Sequence, residues 1–121
     1  MEIIRVREVP KIERKSDLFT GGVVTAQTLL THQFKNQVKI NQVNFSKGAR
    51  NRFHAHSAEQ ILIVTAGNGI VATEHEQVNV EMGDIILFKT GEKHWHGATK
   101  DSEFSHLVIL PVDSKTTILE T

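Results

Sequence analysis

Apolar residues along this chain recur at alternate positions in short runs, and glycine, asparagine or charged residues end each run. A period of two places one set of side chains on each face of a strand. Read through, the pattern predicts strands over Val23 to Leu30, Gln37 to Phe45, Arg52 to His56, Gln60 to Thr65, Ile70 to Glu74, Asn79 to Glu81, Ile85 to Lys89, His94 to Thr99 and Phe104 to Leu110. The breaks fall at Thr31-His32-Gln33, Ser46-Lys47-Gly48, Ala66-Gly67-Asn68-Gly69 and Met82-Gly83-Asp84, rich in the residues that turns require. No stretch sustains apolar residues at helical spacing. The expectation is an all-β antiparallel sandwich or barrel forming a single domain over residues 1–121, with an edge strand or arm over 1–20 and a C-terminal tail over 112–121.

Composition narrows the chemistry. At 121 residues and 39% hydrophobic content, a core is feasible without covalent staples. Cysteine is absent, so disulfides and thiolate ligands are excluded, and a metal would have to be held by His, Gln, Asn, Asp or Glu. Fourteen basic residues balance fourteen acidic ones without a run of like charge, which argues against nucleic acid or an anionic membrane as the partner. The first eight residues are charged from Glu2 onward and lack the apolar stretch of a secretory signal; a cytoplasmic protein that does not span a membrane is expected.

Histidine carries the candidate chemistry. The seven histidines include two His-x-His pairs, His54-Ala55-His56 and His94-Trp95-His96, where chance gives about 0.4. Equal parity puts His54 and His56 on one face, and Gln60 joins them if the strand resumes in register, while Glu59 points away. Leu62 and Val64 continue that face as apolar lining for a substrate. His94 and His96 share a face, as do His106, Val108 and Leu110 on the last strand. A ligand set of His54, His56, Gln60 and His94 would leave two positions open on a six-coordinate ion, with His96 and His106 in the pocket above it as proton-transfer groups or as buried structural imidazoles. Trp95 should face away from the pocket. Arg50 and Arg52 could clamp an anion at the pocket mouth or simply end a charged strand, and His32 and His75 read as solvated.

The frames of the two pairs carry a resemblance. Gly48, His54, His56, Gln60 and Gly67 fall where the first cupin motif has its glycine, two histidines, acid and closing glycine; Gly83, Asp84, Gly91 and His94 fall on the second. The chain thus resembles a single-domain cupin, a double-stranded β-helix or jelly-roll barrel, across roughly residues 40 to 110. The stretches Gln60 to Gly67, Lys93 to Ala98 and Ser105 to Leu107 are similar to the small manganese-dependent cupins that include bacterial hydroxynitrile lyases and proteins associated with carboxymuconolactone decarboxylases. In that group three His and a Gln hold the metal, so Gln60 agrees with the subgroup where the broader family has Glu. Lys89 and Ala98 depart from the second motif's usual Pro and Asn.

The resemblance implies one divalent ion, Mn2+ first, with Fe2+, Ni2+, Zn2+ or Co2+ able to use the same donors. It also implies carbon–carbon cleavage of a small hydroxy or carbonyl compound, with His96 or His106 moving a proton. A cupin dioxygenase or decarboxylase and a non-catalytic small-molecule-binding barrel remain as alternatives. Small cupins usually pair, so a homodimer is expected, through Ile61, Ile63 and Trp95 or through a strand at residues 1–6. From the unperturbed imidazole pKa of about 6.5, metal affinity should fall as pH drops through roughly 6.

Overall fold

The computed structural model describes residues 1–30 and 37–120, so the break expected at Thr31-His32-Gln33 lies outside the described residues. Apart from a single 3-10 turn at Val6–Glu8, every regular element described is a strand. They are β1 (Ile12–Glu13), β2 (Phe19–Thr20), β3 (Val24–Leu30), β4 (Val38–Phe45), β5 (Arg50–Asn51), β6 (His54–His56), β7 (Gln60–Thr73), β8 (Gln77–Glu81), β9 (Ile85–Phe88), β10 (His94–Ala98), β11 (Phe104–Pro111) and β12 (Thr116–Ile118). All pairings are antiparallel.

β7 organises the molecule. The sequence predicts two strands here, parted by a turn at Ala66 to Gly69, but the chain runs on without reversing. The first half of β7 pairs β11 and β9, in a layer continued by β4, β3 and β1. Its second half pairs β8 and β10, in a layer completed by β5, β2, β6 and β12. Gly67 makes the transfer, with a φ of 73° that bends the strand from one layer into the other. A Cβ there would sit 1.8 Å from the Glu103 carbonyl oxygen. The glycine cluster is therefore a kink, which the turn chemistry of its residues does not distinguish from a reversal.

Alternation sorts the side chains as expected. The β11 sequence Phe104-Ser105-His106-Leu107-Val108-Ile109-Leu110 alternates buried and half-buried, and β7 does the same from Gln60 to Val64. Leu62, Val64, Val108 and Leu110 fall in the hydrophobic core with Val24, Val43, Phe45, Phe88 and Phe104. These four candidate lining residues are packed core, and any substrate-facing role is additional to that one. The two termini are more ordered than a loose tail. β1 and β2 each pair a neighbouring strand, and β12 pairs β6. Residues 1–5 form no strand; Ile4 and Val6 instead line a groove of about 480 Å³ with Leu29, Leu30, Ile40 and Leu107.

Gly67→Ala should prevent folding or destabilise by more than about 3 kcal/mol, because φ strain and a backbone clash combine. Gly91→Ala, with a φ of 77° but nothing within 4 Å of the new Cβ, should lose only about 1 kcal/mol. Urea unfolding of both variants checks the contrast, and equal losses would contradict the kink.

Candidate metal centre

β6 and β10 meet where His54 pairs His94, so the two His-x-His segments lie side by side. The ligand nitrogens of His54, His56 and His94 all fall within 4.8 Å of one another, and all three residues are buried. Gln60 starts β7 on the same inward face, with Oε1 3.0 Å from Nε2 of His94. Glu59 is exposed, as parity requires.

Hydrogen bonds fix which nitrogen of each ring is free. Nδ1 of His54 lies 2.6 Å from the Arg52 carbonyl oxygen, and Nδ1 of His94 lies 2.7 Å from that of Glu92. A carbonyl only accepts, so both rings carry their proton on Nδ1 and present a lone pair at Nε2. Nδ1 of His56 lies 2.9 Å from the Thr116 hydroxyl, and its Nε2 is buried with no hydrogen-bond partner among the described residues. The His94 Nε2 lone pair also faces the Gln60 oxygen, and two acceptors at that distance repel. A cation among these donors satisfies the orphaned nitrogen and turns the repulsion into shared coordination. The residues fit a divalent ion held by three imidazoles and an amide oxygen. Phe88 stacks on the His94 ring at 3.7 Å between centroids and closes one side.

His96 and His106 form a second, separate group. Their rings meet with His106 Nε2 3.1 Å from His96 Nδ1, and the His96 ring lies 6.0 Å from that of His94. Asn51 sets the direction of this chain. Its Oδ1 accepts from the His96 backbone N–H at 2.8 Å, which leaves its Nδ2 to donate to His96 Nε2 at 3.3 Å. His96 Nδ1 then donates to His106 Nε2, and His106 Nδ1 donates to the Leu107 carbonyl at 3.2 Å. The result is a neutral, directional relay ending beside the three-histidine cluster.

Burial holds all five rings neutral. Desolvation lowers His54, and with the neighbouring His54 it lowers His56 to about 4. Desolvation takes His94 to about 3 against the Glu92 hydrogen bond. It drops His96 well below its ordinary value, helped by His106, and His106 to about 4.

Several residues beyond the histidines matter, and sequence reading misses them. Asn51 sits between two arginines that draw attention first. Those arginines face away from the interior: the Arg50 guanidinium lies 4.2 Å over the Trp95 ring and pairs with Glu120, while Arg52 donates to the carbonyls of Asp17 and Phe19. Trp95 is thus covered by Arg50 in the layer opposite Ile61 and Ile63, and does not share their outer face. Asn41 lies opposite Val108 on the inward side of β4, with a buried Oδ1 that lacks a partner among the described residues. His75 is exposed, and His32 lies outside the described residues. Among the described residues no helix is long and apolar enough to cross a membrane.

A cupin domain is matched over residues 41–110. The chain is 39% identical over 110 residues to an (R)-mandelonitrile lyase from Granulicella tundricola, covering 90% of this chain and 83% of that protein. It superposes on a cupin-like protein from Thermotoga maritima with a TM-score of 0.83 at 31% identity, covering 90% of this chain and 84% of the other. A polyketide cyclase from Streptomyces resistomycificus shares the fold at a TM-score of 0.88 and 15% identity, covering 100% of this chain and 87% of the other.

The depressed pKa values move the expected pH response. Ligand protonation should compete with metal only as pH approaches about 4, below the threshold near 6 that unperturbed histidine implies. For stability, the unfolded chain takes up protons first as pH falls below about 6.5, because the folded imidazoles resist them. The metal-stripped protein should therefore hold a constant urea midpoint from pH 8 to 7 and lose stability steadily from about 6.5 toward 4. A flat profile across that window would contradict neutral buried rings.

Proposed function

This chain belongs to the cupin family, and from that premise we propose that it is a metal-dependent lyase that cleaves a carbon–carbon bond in a small hydroxy compound, a cyanohydrin or a close analogue. The observation that carries the reading is the pairing of two groups in one interior: three imidazole nitrogens with the Gln60 oxygen, and a two-histidine relay ending 6.0 Å away, ring to ring. A closed structural site needs only the first group. The relative from Granulicella tundricola, named for (R)-mandelonitrile cleavage, supports the lyase class.

His54, His56, Gln60 and His94 would hold the ion, Mn2+ first among the divalent metals. Because all four donors are neutral, the ion would supply Lewis acidity with its full charge of +2. The remaining steps belong to the chain. His96 Nε2 is the relay lone pair held least firmly, because its 3.3 Å contact with Asn51 is longer than the 3.1 Å contact at His106 Nε2. A substrate hydroxyl gives its proton to this nitrogen as its C–O bond becomes a carbonyl. The C–CN bond breaks with its electron pair on cyanide, and the imidazolium returns the proton to the departing cyanide. The His106 ring, fixed by the Leu107 carbonyl, accepts from His96 Nδ1 and stabilises the transient charge. Leu62, Val64, Val108 and Leu110 form the apolar floor that keeps water from the reacting atoms.

We further propose that the whole chain acts as one domain, in the cytoplasm, as a homodimer. Leu87, Ile61, Ile109, Ile40 and Leu30 form a continuous cross-strand row on the outer face, with Ile85, Ile63 and Leu107 beside it. Ile85 and Leu87 are 70% and 53% exposed, a large apolar area for a lone chain. Sedimentation at micromolar concentration should give twice the 13.6 kDa chain mass, and Ile63→Asp should give the single mass. A wild-type monomer sinks this part of the reading.

Catalysis is tested with (R)-mandelonitrile as substrate, with and without Mn2+. Aldehyde release by the loaded protein supports the lyase, while O₂ consumption without it would assign a dioxygenase. His94→Ala should lose metal and activity together while staying folded. Gln60→Glu should keep its metal, since a carboxylate is the better donor, yet lose turnover because the added negative charge weakens the Lewis acid. Each tenfold loss corresponds to about 1.4 kcal/mol of transition-state stabilisation. Unchanged metal content and unchanged turnover in Gln60→Glu would remove Gln60 from the ligand set.

A further inference from the structure

We propose that the C-terminal strand is a working part of the metal centre, with Thr116 as the residue that positions His56. The proposal rests on the reading of the three histidines as metal ligands and assigns a role to a segment that sequence reading leaves as a tail.

The argument begins with the support of each ring. Two of the three imidazoles are oriented by main-chain carbonyls, His54 by Arg52 and His94 by Glu92, which no substitution removes. His56 is oriented by a side chain, the Thr116 hydroxyl at 2.9 Å from Nδ1. For His56 to present Nε2 to a cation, Nδ1 must carry the proton and the hydroxyl must accept it. Without that acceptor the neutral ring is free to move its proton to Nε2 or to rotate away. Either change removes one of the three imidazole donors.

The backbone around Thr116 is built to hold it there. β6 is three residues long and reaches β10 only through the His54–His94 pair. Its other edge is filled by β12, in the register Thr116 to His56, Thr117 to Ala55 and Ile118 to His54. Both ends of this pairing are clamped. At one end, Ser57 N donates to the Lys115 carbonyl at 2.9 Å and Lys115 N donates to the Ser57 hydroxyl at 2.8 Å. At the other, Leu119 N donates to the Phe53 carbonyl at 2.8 Å, and the Glu120 carboxylate accepts from Phe53 N at 2.8 Å while pairing with the Arg50 guanidinium. β12 itself is exposed along its length, so it contributes little core and its pairing serves chiefly to hold β6.

The test is metal affinity, measured by chelator competition for Mn2+ on the full chain. Thr116→Val keeps the shape and removes the acceptor; Thr116→Ser keeps the acceptor and removes the methyl. Partners that orient a ligating imidazole typically change affinity about 10- to 100-fold. The expected result is a loss in that range for Thr116→Val, near wild-type affinity for Thr116→Ser, and matching urea midpoints for the two metal-stripped variants. Wild-type affinity in Thr116→Val overturns the proposal, and so does an equal loss in both variants, which would assign the effect to packing. Wild-type protein and His94→Ala separate this failure from a wider one. If wild type binds Mn2+ and His94→Ala does not, the metal centre stands whatever Thr116 does. If wild type binds none, the metal centre and the proposal fall together.

Discussion

A neutral imidazole buried from water has one proton to give and one lone pair to fill, and this barrel gathers five of them within one interior. That requirement organises much of the molecule. The carbonyls of Arg52 and Glu92, just before β6 and β10, accept hydrogen bonds from rings two residues onward. Asn51 gives its amide to His96, and the last strand brings a hydroxyl to His56. One nitrogen is left over, Nε2 of His56, beside lone pairs of the same kind. A cation at that point would fill it, as we propose.

The same burial sets the electrical character of the centre. Desolvation keeps the rings uncharged far below their usual range, so their lone pairs stay available to a cation without a carboxylate among them. A site of neutral donors holds metal less tightly than one with an acid, but leaves the ion's charge uncompensated and more able to stabilise developing negative charge. Separation of the relay from the cluster has a related effect. His96 and His106 lean on one another and on Phe45, with rings 5.8 and 5.6 Å from that phenylalanine, and so keep their hydrogen bond in a dry environment.

Much of this was legible in the sequence because it depends on local parity. Alternation along Gln60 to Val64 and His106 to Leu110 identifies the inward face, and the two His-x-His pairs with their glycines identify the ends that meet. What alternation cannot convey is whether a glycine reverses a strand or bends it, so alternation alone divides β7 at Gly67. Distant partners are also invisible to it. Asn51 and Thr116 are ordinary polar residues in a sequence, and their importance comes only from the atom each finds across the fold. Trp95 illustrates the converse: its outward direction follows from parity, but the Arg50 guanidinium that covers it comes from another strand.

The central claim is that the interior of this barrel is a four-donor metal centre. It is tested most directly by anomalous scattering from crystals grown with Mn2+, collected on either side of the manganese absorption edge. The account predicts one strong peak within bonding distance of the Nε2 atoms of His54, His56 and His94 and of the Gln60 oxygen. A difference map without a peak there, or with manganese only among surface carboxylates, would contradict it.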